Sequence, residues 1–176
     1  MTPPLRIRAA QIADTDAIGR LHVECWKASY RGLLPDALID GRDPRQRAAV
    51  WRGALAQGYG VYVVETDAEA LFGVGSCGAP FHPEIQADGE ITALYLLPEA
   101  QRMGIGRSLL AWMAEDLADR GFSSVGLLVL TANAPARRFY EALGGRAAGE
   151  VQGTHDGYAV AATIYLWDDL DVLRIR

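Results

Sequence analysis

Residues 90–107 read EITALYLLPEAQRMGIGR, an almost wholly apolar segment followed by a proline and then by a turn with two glycines. The apolar run predicts a central strand over 90–97, and Pro98 ends it. After the turn, the spacing of the apolar residues predicts an amphipathic helix over 104–120, which Gly121 ends. A strand that runs through a glycine turn into a helix is typical of α/β domains.

The two glycines of this turn predict a ligand site at the start of the helix. Gly104 and Gly106 carry no Cβ, so the free amides of the first turn can converge on an anion such as pyrophosphate, flanked by Arg102 and Arg107. A Walker loop is disfavoured because it needs a lysine, and a dinucleotide fingerprint needs a third glycine where this chain has Leu109. The pattern alone also fits an ordinary strand-to-helix turn that glycine merely eases.

Strand-like and helix-like runs alternate along the rest of the chain, which predicts mixed α and β structure. Residues 61–65 and 70–79 predict an antiparallel hairpin, and a polar turn over 153–157 joins the last two strands. The remaining predicted strands are 5–9, 124–130, 146–152 and 158–167, and the remaining helices begin at Asp14 or Thr15, Asp36, Asp43-Pro44 and Ala134. The residues expected to pack are Ala49, Val50, Trp51 and Leu55 in the helix after Pro44, and Ile105, Leu109, Trp112, Met113 and Leu117 in the helix after Gly104.

Composition and charge narrow the class of protein. The chain has 176 residues, 50% of them hydrophobic and 22% charged, which is ordinary for one folded domain and unlike a disordered chain. Seventeen basic residues against 22 acidic ones give a net charge of −5 without a basic run, so nucleic-acid binding is disfavoured. The acidic balance favours a cationic partner.

Several other classes of site are also disfavoured. Cys25 and Cys77 lack the paired spacing of a zinc or redox motif and are expected to be buried. His22, His82 and His155 are scattered, so no metal site is expected and each is predicted to be structural or exposed. A serine-hydrolase elbow of the form G-x-S-x-G is absent from the sequence.

The sequence also carries hints about compartment and source. No apolar run reaches the length of a signal peptide or membrane span, so a cytoplasmic protein without a membrane partner is expected. Of the 17 basic residues only Lys27 is lysine, a skew that favours a GC-rich, bacterial coding sequence.

Two segments resemble the signatures of the GNAT superfamily of N-acetyltransferases. Gln101–Gly106 is similar to that family's acetyl-CoA loop, Q/R-x-x-G-x-G/A, and Asn133–Gly144 is similar to its second signature of Asn, Tyr and a terminal Leu-Gly. The resemblance runs from about residue 5 to residue 168, so one domain is expected over residues 1–176. It implies a mixed, mostly antiparallel twisted sheet flanked by helices, with the cofactor entering where two parallel strands diverge. Gly145 departs from the family, which commonly has Phe there.

The resemblance implies acetyl-CoA as cosubstrate, without a metal, and assigns its contacts. Backbone amides of Leu94, Tyr95 and Leu96 would bind the pantetheine arm and the thioester carbonyl. Asn133 would touch the pantetheine arm, although it also fits a helix N-cap, and Tyr140 would protonate the departing thiolate, although it also fits a core tyrosine. The loop expected to hold the pyrophosphate consists of Gln101, Arg102, Met103, Gly104, Ile105, Gly106 and Arg107.

The acceptor would be a primary amine, which with a pKa of about 10.4 must lose a proton before it attacks. Glu90 opens the central strand, where similar enzymes often place a base that acts through water; the alternative is a solvated charge beside a turn. In similar proteins Trp26, Tyr30 and Arg31 of the first helix region, and the turn containing His155, border the acceptor site. Core packing or a surface position is the alternative for these four.

These features predict acetyl transfer from acetyl-CoA to a small cationic amine or a peptide or protein amine, by direct attack in a ternary complex. Neither cysteine lies in a nucleophile motif, which favours the direct route. The alternative is a module that holds an acyl-CoA for sensing or scaffolding and does no chemistry. The sequence leaves the acceptor and the oligomeric state open, although similar proteins are often homodimers.

Overall fold

The computed structural model describes residues 4–174, which fold around one seven-stranded sheet. The strands are β1 (Leu5–Ala9), β2 (Gly60–Thr66), β3 (Leu71–Gly78), β4 (Gly89–Leu96), β5 (Val125–Leu130), β6 (Arg146–His155) and β7 (Tyr158–Trp167). The helices are α1 (Thr15–Tyr30), α2 (Asp36–Asp40), α3 (Pro44–Ala56), α4 (Ile105–Asp119) and α5 (Ala134–Ala142). The sheet order is β1-β2-β3-β4-β5-β7-β6, and in this described part of the chain only β4 and β5 are parallel neighbours in the sheet. The predicted mixed, mostly antiparallel sheet flanked by helices is confirmed.

Apolar cores lie on both faces of the sheet. Val63 and Val64 are adjacent in β2 and fully buried, but Val63 packs with Ile18 of α1 and Trp51 of α3, whereas Val64 packs with Leu109 of α4. Successive residues of a strand point to opposite faces, so a strand covered on both faces must be apolar at every position. The helices on the two faces thus account for the unbroken apolar runs in the sequence.

β4 and β5 separate soon after they begin. Their parallel pairing is confined to Gly89 with Val125 and Glu90 with Gly126. On the other side of β4 the pairing with β3 shifts register at Thr92, which is one extra residue, a β-bulge. The free edge of β4 beyond Glu90 faces the gap between the strands.

Two predicted packing faces are partly wrong. In α3, Ala49 and Val50 are exposed, whereas Ala48 and Trp51 are buried. The cause is the close approach of α1, because a Cβ added at Gly19 would lie 2.8 Å from the backbone nitrogen of Ala48. Ala48 therefore faces α1, and residues one and two positions further along the helix turn away from it.

The other error of this kind is in α4. Trp112 is 46% exposed, and its ring lies 5.9 Å from that of Tyr62 in β2. The buried stripe of α4 instead includes Leu110 and Ala114. A large ring at the border of an amphipathic stripe covers the edge of the core without entering it.

The predicted polar turn over residues 153–157 is too long. β6 continues to His155, so that only Asp156 and Gly157 connect it to β7. Both have positive φ, 47° and 83°, as an Asp-Gly hairpin turn of the primed type requires. The other predicted elements are present with small shifts at their ends, and the hairpin of β2 and β3 is confirmed. Within residues 4–174, no helix combines the length and the apolarity that spanning a membrane requires.

Candidate active site

A cavity of about 720 Å3 lies in the gap where β4 and β5 diverge. Residues 91–96 of β4 form one wall, and residues 127–129 of β5 form part of the other, together with α5. The cavity reaches Gly104 at the start of α4 and Tyr30 at the end of α1. It therefore joins the predicted anion loop to the region in which the predicted acceptor residues lie.

The part of β4 that lines the cavity offers its backbone groups to a ligand. Leu94, Tyr95 and Leu96 line the cavity on the edge that no longer pairs with β5. Gln101 Nε2 donates to the carbonyl oxygen of Leu96 at 3.1 Å, which ties the glycine loop to the end of the strand. Backbone groups left free by a neighbouring strand can hydrogen-bond an elongated ligand, so this edge fits the predicted cofactor contacts.

The loop before α4 has the conformation that its glycines predict. Gly104 has φ of 79°, the left-handed region that favours glycine, and Arg102 has φ of 60°. A Cβ at Gly104 would meet nothing within 4 Å, whereas one at Gly106 would lie 3.1 Å from the ring of Phe139. Gly104 is thus open toward the cavity, and Gly106 lets α4 approach α5.

The arginines at this end of the cavity have no acidic partner within residues 4–174. Arg102 and Arg107, both predicted, line the cavity, and so does Arg138 of α5. Arg138 was not predicted as a site residue, since its neighbour Arg137 is equally basic; Arg137 donates instead to the hydroxyl of Tyr165. Three unpaired guanidinium groups and a helix N-terminus make this end of the cavity suited to phosphate oxygens.

Two residues of the predicted loop do not bring their side chains to the cavity wall. Met103 is 48% exposed, and the side chain of Ile105 packs against the core beneath α4. Any contribution of these two residues to binding would come from their backbone.

Asn133 and Tyr140 both line the cavity from α5. Asn133 caps the helix, since its side chain accepts from the backbone N–H of Ala136 at 3.3 Å. Tyr140 is 8% exposed, its hydroxyl has no hydrogen-bond partner among residues 4–174, and burial raises the pKa of that hydroxyl. Tyr140 is therefore a protonated donor without a fixed acceptor.

Glu90 is buried next to the cavity wall and does not line it. Its Oε2 accepts from the backbone N–H groups of Phe81 at 2.6 Å and His82 at 3.0 Å. Its Oε1 lies 2.6 Å from Nδ1 of His82, whose side chain is 40% exposed while that of Glu90 is 1% exposed. The alternative of a solvated charge is therefore wrong, and the pairing with His82 was not predicted because the two residues meet only through the loop between β3 and β4.

Tyr30 and Tyr95 line the acceptor end of the cavity, and the rings of Trp26 and His155 pack behind them without lining it. The rings of Trp26 and Tyr30 are 4.6 Å apart, those of Trp26 and His155 are 5.4 Å apart, and Trp26 Nε1 donates to the hydroxyl of Tyr95 at 3.3 Å. The structure thus brings three of the four predicted acceptor residues together. Arg31 is not among them, because its guanidinium forms ion pairs with Asp36 at 3.0 Å and with Asp40 at 2.7 Å.

Two arginines that the sequence did not single out lie beside these rings. The guanidinium of Arg42 stacks over Trp26 at 3.6 Å and donates to Nε2 of His155. Burial lowers the pKa of Arg42 first, and the charge of Arg47 lowers it further. The pKa of His155 is lowered first by burial, so its ring is neutral near pH 7. No spacing in the sequence connects positions 42, 47 and 155.

Neither cysteine is placed to act as a nucleophile. Cys25 and Cys77 are fully buried free thiols, as predicted, and they do not line the cavity. Burial raises the pKa of Cys25 to about 12 and raises that of Cys77 as well. Within residues 4–174, no three potential metal ligands come together.

Comparison with known proteins assigns the chain to one family. A family model described as the acetyltransferase (GNAT) family matches residues 17–145. An uncharacterized N-acetyltransferase of Bacillus subtilis (strain 168), YuaI, is 32% identical over 169 residues, which are 96% of this chain and 95% of the relative. An N-acetyltransferase of Archaeoglobus fulgidus is 34% identical over 139 residues, or 77% of this chain and 89% of the relative.

Solved structures show the same fold. The PaiA N-acetyltransferase of Thermoplasma acidophilum in complex with coenzyme A has a TM-score of 0.72 at 20% identity, covering 93% of this chain and 98% of the other. YncA of Salmonella typhimurium, with its cofactor acetyl-CoA, has a TM-score of 0.70 at 22% identity, covering 96% and 95%.

Proposed function

This chain belongs to the acetyltransferase (GNAT) family, and on that premise we propose that it transfers the acetyl group of acetyl-CoA to a primary amine by direct attack in a ternary complex. The observation that carries the proposal is the single cavity along the free edge of β4. It has three arginines at one end and aromatic rings at the other, with the Tyr140 hydroxyl on its wall. We also assign the activity to one domain with a core over about residues 5–168.

The residues at the glycine loop fit acetyl-CoA. Gly104 is open to the cavity, and Arg102, Arg107 and Arg138 supply positive charge that no acidic residue within 4–174 neutralises. When bound, acetyl-CoA supplies an activated acetyl thioester. The free backbone of residues 94–96 would hold the carbonyl of that thioester, as aligned amides do at sites where an oxyanion develops.

Tyr140 would act as general acid. Its raised pKa keeps the hydroxyl protonated at neutral pH, and it has no hydrogen-bond partner among residues 4–174 that competes for the proton. Tyr140 Oη gives its proton to the departing sulfur, which would otherwise leave as a thiolate. An acid of this kind contributes about 10²–10⁴-fold to turnover.

Glu90 would receive the proton that the amine loses. Its carboxylate is buried, so the proton must travel through a water molecule or through the ring of His82, which faces both Glu90 and solvent. A carboxylate held by two backbone N–H groups and an imidazole stays in one orientation, which favours a fixed relay path.

The buried thiols support the direct route. A covalent acetyl-enzyme would need a nucleophile on the cavity wall with a lowered pKa, whereas both cysteines lie elsewhere with raised pKa values. Transfer in a ternary complex requires no such group.

The test is a screen of primary amines with purified protein and acetyl-CoA, in which free CoA is measured and products are identified by mass spectrometry. The expected result is CoA release that depends on the amine, together with the N-acetylated amine. Tight acetyl-CoA binding by calorimetry without thiol release over a broad panel would instead identify an acyl-CoA-binding module.

A further inference from the structure

None of the acidic residues that the structure describes lines the cavity. These are all 22 acidic residues of the chain, since every one of them lies within residues 4–174. The charged side chains along the described walls are Arg102, Arg107 and Arg138, which lie at the end that fits phosphate oxygens. In this part of the chain the acceptor end thus carries no charged side chain, and it offers no carboxylate to a cationic group.

Apolar groups and tyrosine rings form the acceptor end. Ala93 and Tyr95 of β4 pack against the core beneath α1, and Tyr30 is the last residue of α1. Leu128 of β5 packs against the small core that contains Ile85. The cavity is lined by Tyr30, Ala93, Tyr95 and Leu128. Walls of this kind favour an apolar body, through the burial of apolar area and through contacts between rings.

The two tyrosines indicate that this end is poorly hydrated. Burial is the largest cause that raises the pKa of Tyr30 and of Tyr95. The same loss of water disfavours a charged ammonium and lowers its pKa. One amine can enter by losing its proton, as it must before it attacks. Each additional ammonium must either stay charged without a partner or give up its proton at a further cost in free energy.

Glu90 and Arg42 lie near this end, and neither provides a site for a second cation. The carboxylate of Glu90 is held by two backbone N–H groups and by the ring of His82, and it does not line the cavity. Arg42 stacks over the ring of Trp26, which lies 4.6 Å from the ring of Tyr30. The charge behind the tyrosines is therefore positive and would repel a cation.

We propose that the acceptor is a primary monoamine with an apolar body, aromatic or aliphatic, and that the cavity excludes short diamines and polyamines. The net charge of −5 attracts cations to the molecule as a whole, but the acceptor is recognised at a wall without carboxylates. This inference rests on the proposed acetyl transfer and specifies its acceptor.

The test compares 2-phenylethylamine, butylamine and 1,4-diaminobutane, of which the last two differ by one amino group. CoA release gives kcat/KM for each of them. We expect butylamine to exceed the diamine by about 10-fold or more, since a desolvated ammonium without a partner is costly. We expect 2-phenylethylamine to be at least as good a substrate as butylamine. A kcat/KM for the diamine that equals or exceeds that of butylamine would overturn the inference and leave the acetyl transfer established.

Ser29 allows the missing charge to be supplied, because it lines the cavity beside Tyr30. Ser29→Asp would add a carboxylate to the wall, and Ser29→Asn is the matched control, since the two new side chains differ in charge and not in size. We expect Ser29→Asp to raise kcat/KM of the diamine relative to butylamine by about 10-fold over Ser29→Asn, as for a hydrogen bond to a charged group. Unfolding temperatures confirm that both variants are folded. The same ratio in both variants would overturn the inference.

If none of the amines releases CoA, the proposed acetyl transfer to them fails, and the acceptor end is tested by binding alone. Calorimetry in the presence of CoA should then show that 2-phenylethylamine binds the unmodified chain and that 1,4-diaminobutane binds only Ser29→Asp. Binding of the diamine to the unmodified chain as tightly as the monoamine, or no binding of either, would overturn the inference.

Discussion

At the scale of single residues, the chemistry depends on where two protons are held. Tyr140→Phe removes one hydroxyl from the cavity wall and leaves the ring packed against Phe139 and Trp167. We expect acetyl-CoA affinity, measured by calorimetry, to stay close to that of the unmodified chain, and turnover to fall by about 10²–10⁴-fold. Tyr158→Phe, on the exposed end of β7, is the control. A loss of affinity as large as the loss of turnover would show that Tyr140 positions the cofactor and is not the acid.

The second prediction tests whether Glu90 receives the proton that the amine loses. Glu90→Gln should lower turnover most at pH values below the pKa of the amine, where a base is needed, and activity should recover toward high pH, where the amine arrives neutral. The measurement is the pH profile of kcat/KM, with the unfolding temperature followed in parallel because Gln cannot accept all three hydrogen bonds as Glu90 does. A reduction independent of pH would remove Glu90 from the proton path.

At the scale of elements, the start of α4 should distinguish ligand binding from backbone strain. Gly104→Ala and Gly104→Asn both add a Cβ in open space at φ of 79°, but Asn tolerates this conformation better. We expect Ala to lower the free energy of unfolding by about 1 kcal/mol and Asn by less, while both weaken acetyl-CoA binding strongly.

Gly121, just after the other end of α4, provides the matched control. Its φ is 86° and a Cβ there would also meet nothing within 4 Å, so Gly121→Ala and Gly121→Asn should have similar effects on stability. They should not change acetyl-CoA binding. Unchanged affinity in both Gly104 variants would contradict a pyrophosphate site at this turn.

The elements themselves were largely predictable, because their signals are local. Pro98 and Gly121 set the ends of segments, and alternating or continuous apolar runs identified the strands. The bulge at Thr92 was not predictable, since its register depends on how β3 pairs with β4. The exposure of Val50 and Trp112 was missed for a similar reason: the width of a buried helix face depends on the neighbouring element, such as α1 against Ala48.

At the scale of the whole molecule, a buried carboxylate links the edge strand β1 to its neighbour β2 and makes stability depend on pH. Glu65 of β2 is 1% exposed, and Arg8 and Arg6 of β1 lie 2.7 Å from its two oxygens. The guanidinium groups of Arg8 and then Arg6 lower the pKa of Glu65 below its ordinary value of 4.5. The stabilisation is therefore complete above that value and is lost as pH falls through the lower pKa of the folded state.

Replacing this carboxylate tests that dependence. Glu65→Gln should lower the free energy of unfolding by about 1–3 kcal/mol at pH 7 and reduce the slope of stability against pH below 4.5. Urea unfolding at a series of pH values measures both quantities. An unchanged slope would assign the acid sensitivity to other groups, Asp14 among them, whose pKa Arg8 also lowers.

The candidate site was predictable where its residues share a local motif and unpredictable where they meet only in the fold. Gly104, Asn133 and Tyr140 belong to two motifs and all line one cavity. Arg42 and His155 are 113 positions apart and meet only because α2 and α3 fold back toward the turn between β6 and β7. Net charge affects the encounter with a partner and does not identify the acceptor, because it averages over the molecule while recognition depends on a few groups.

The central claim is that this cavity moves an acetyl group directly from acetyl-CoA to an amine. A single-turnover experiment tests it: excess protein is mixed with acetyl-CoA and the best amine of the screen, and samples quenched over time are analysed by mass spectrometry. Free CoA and acetylated amine should appear in equal amounts and at one rate, with no acetylated protein at any time. Acetylated protein that forms before the amine product, or acetyl-CoA that stays intact beside a bound amine, would contradict the claim.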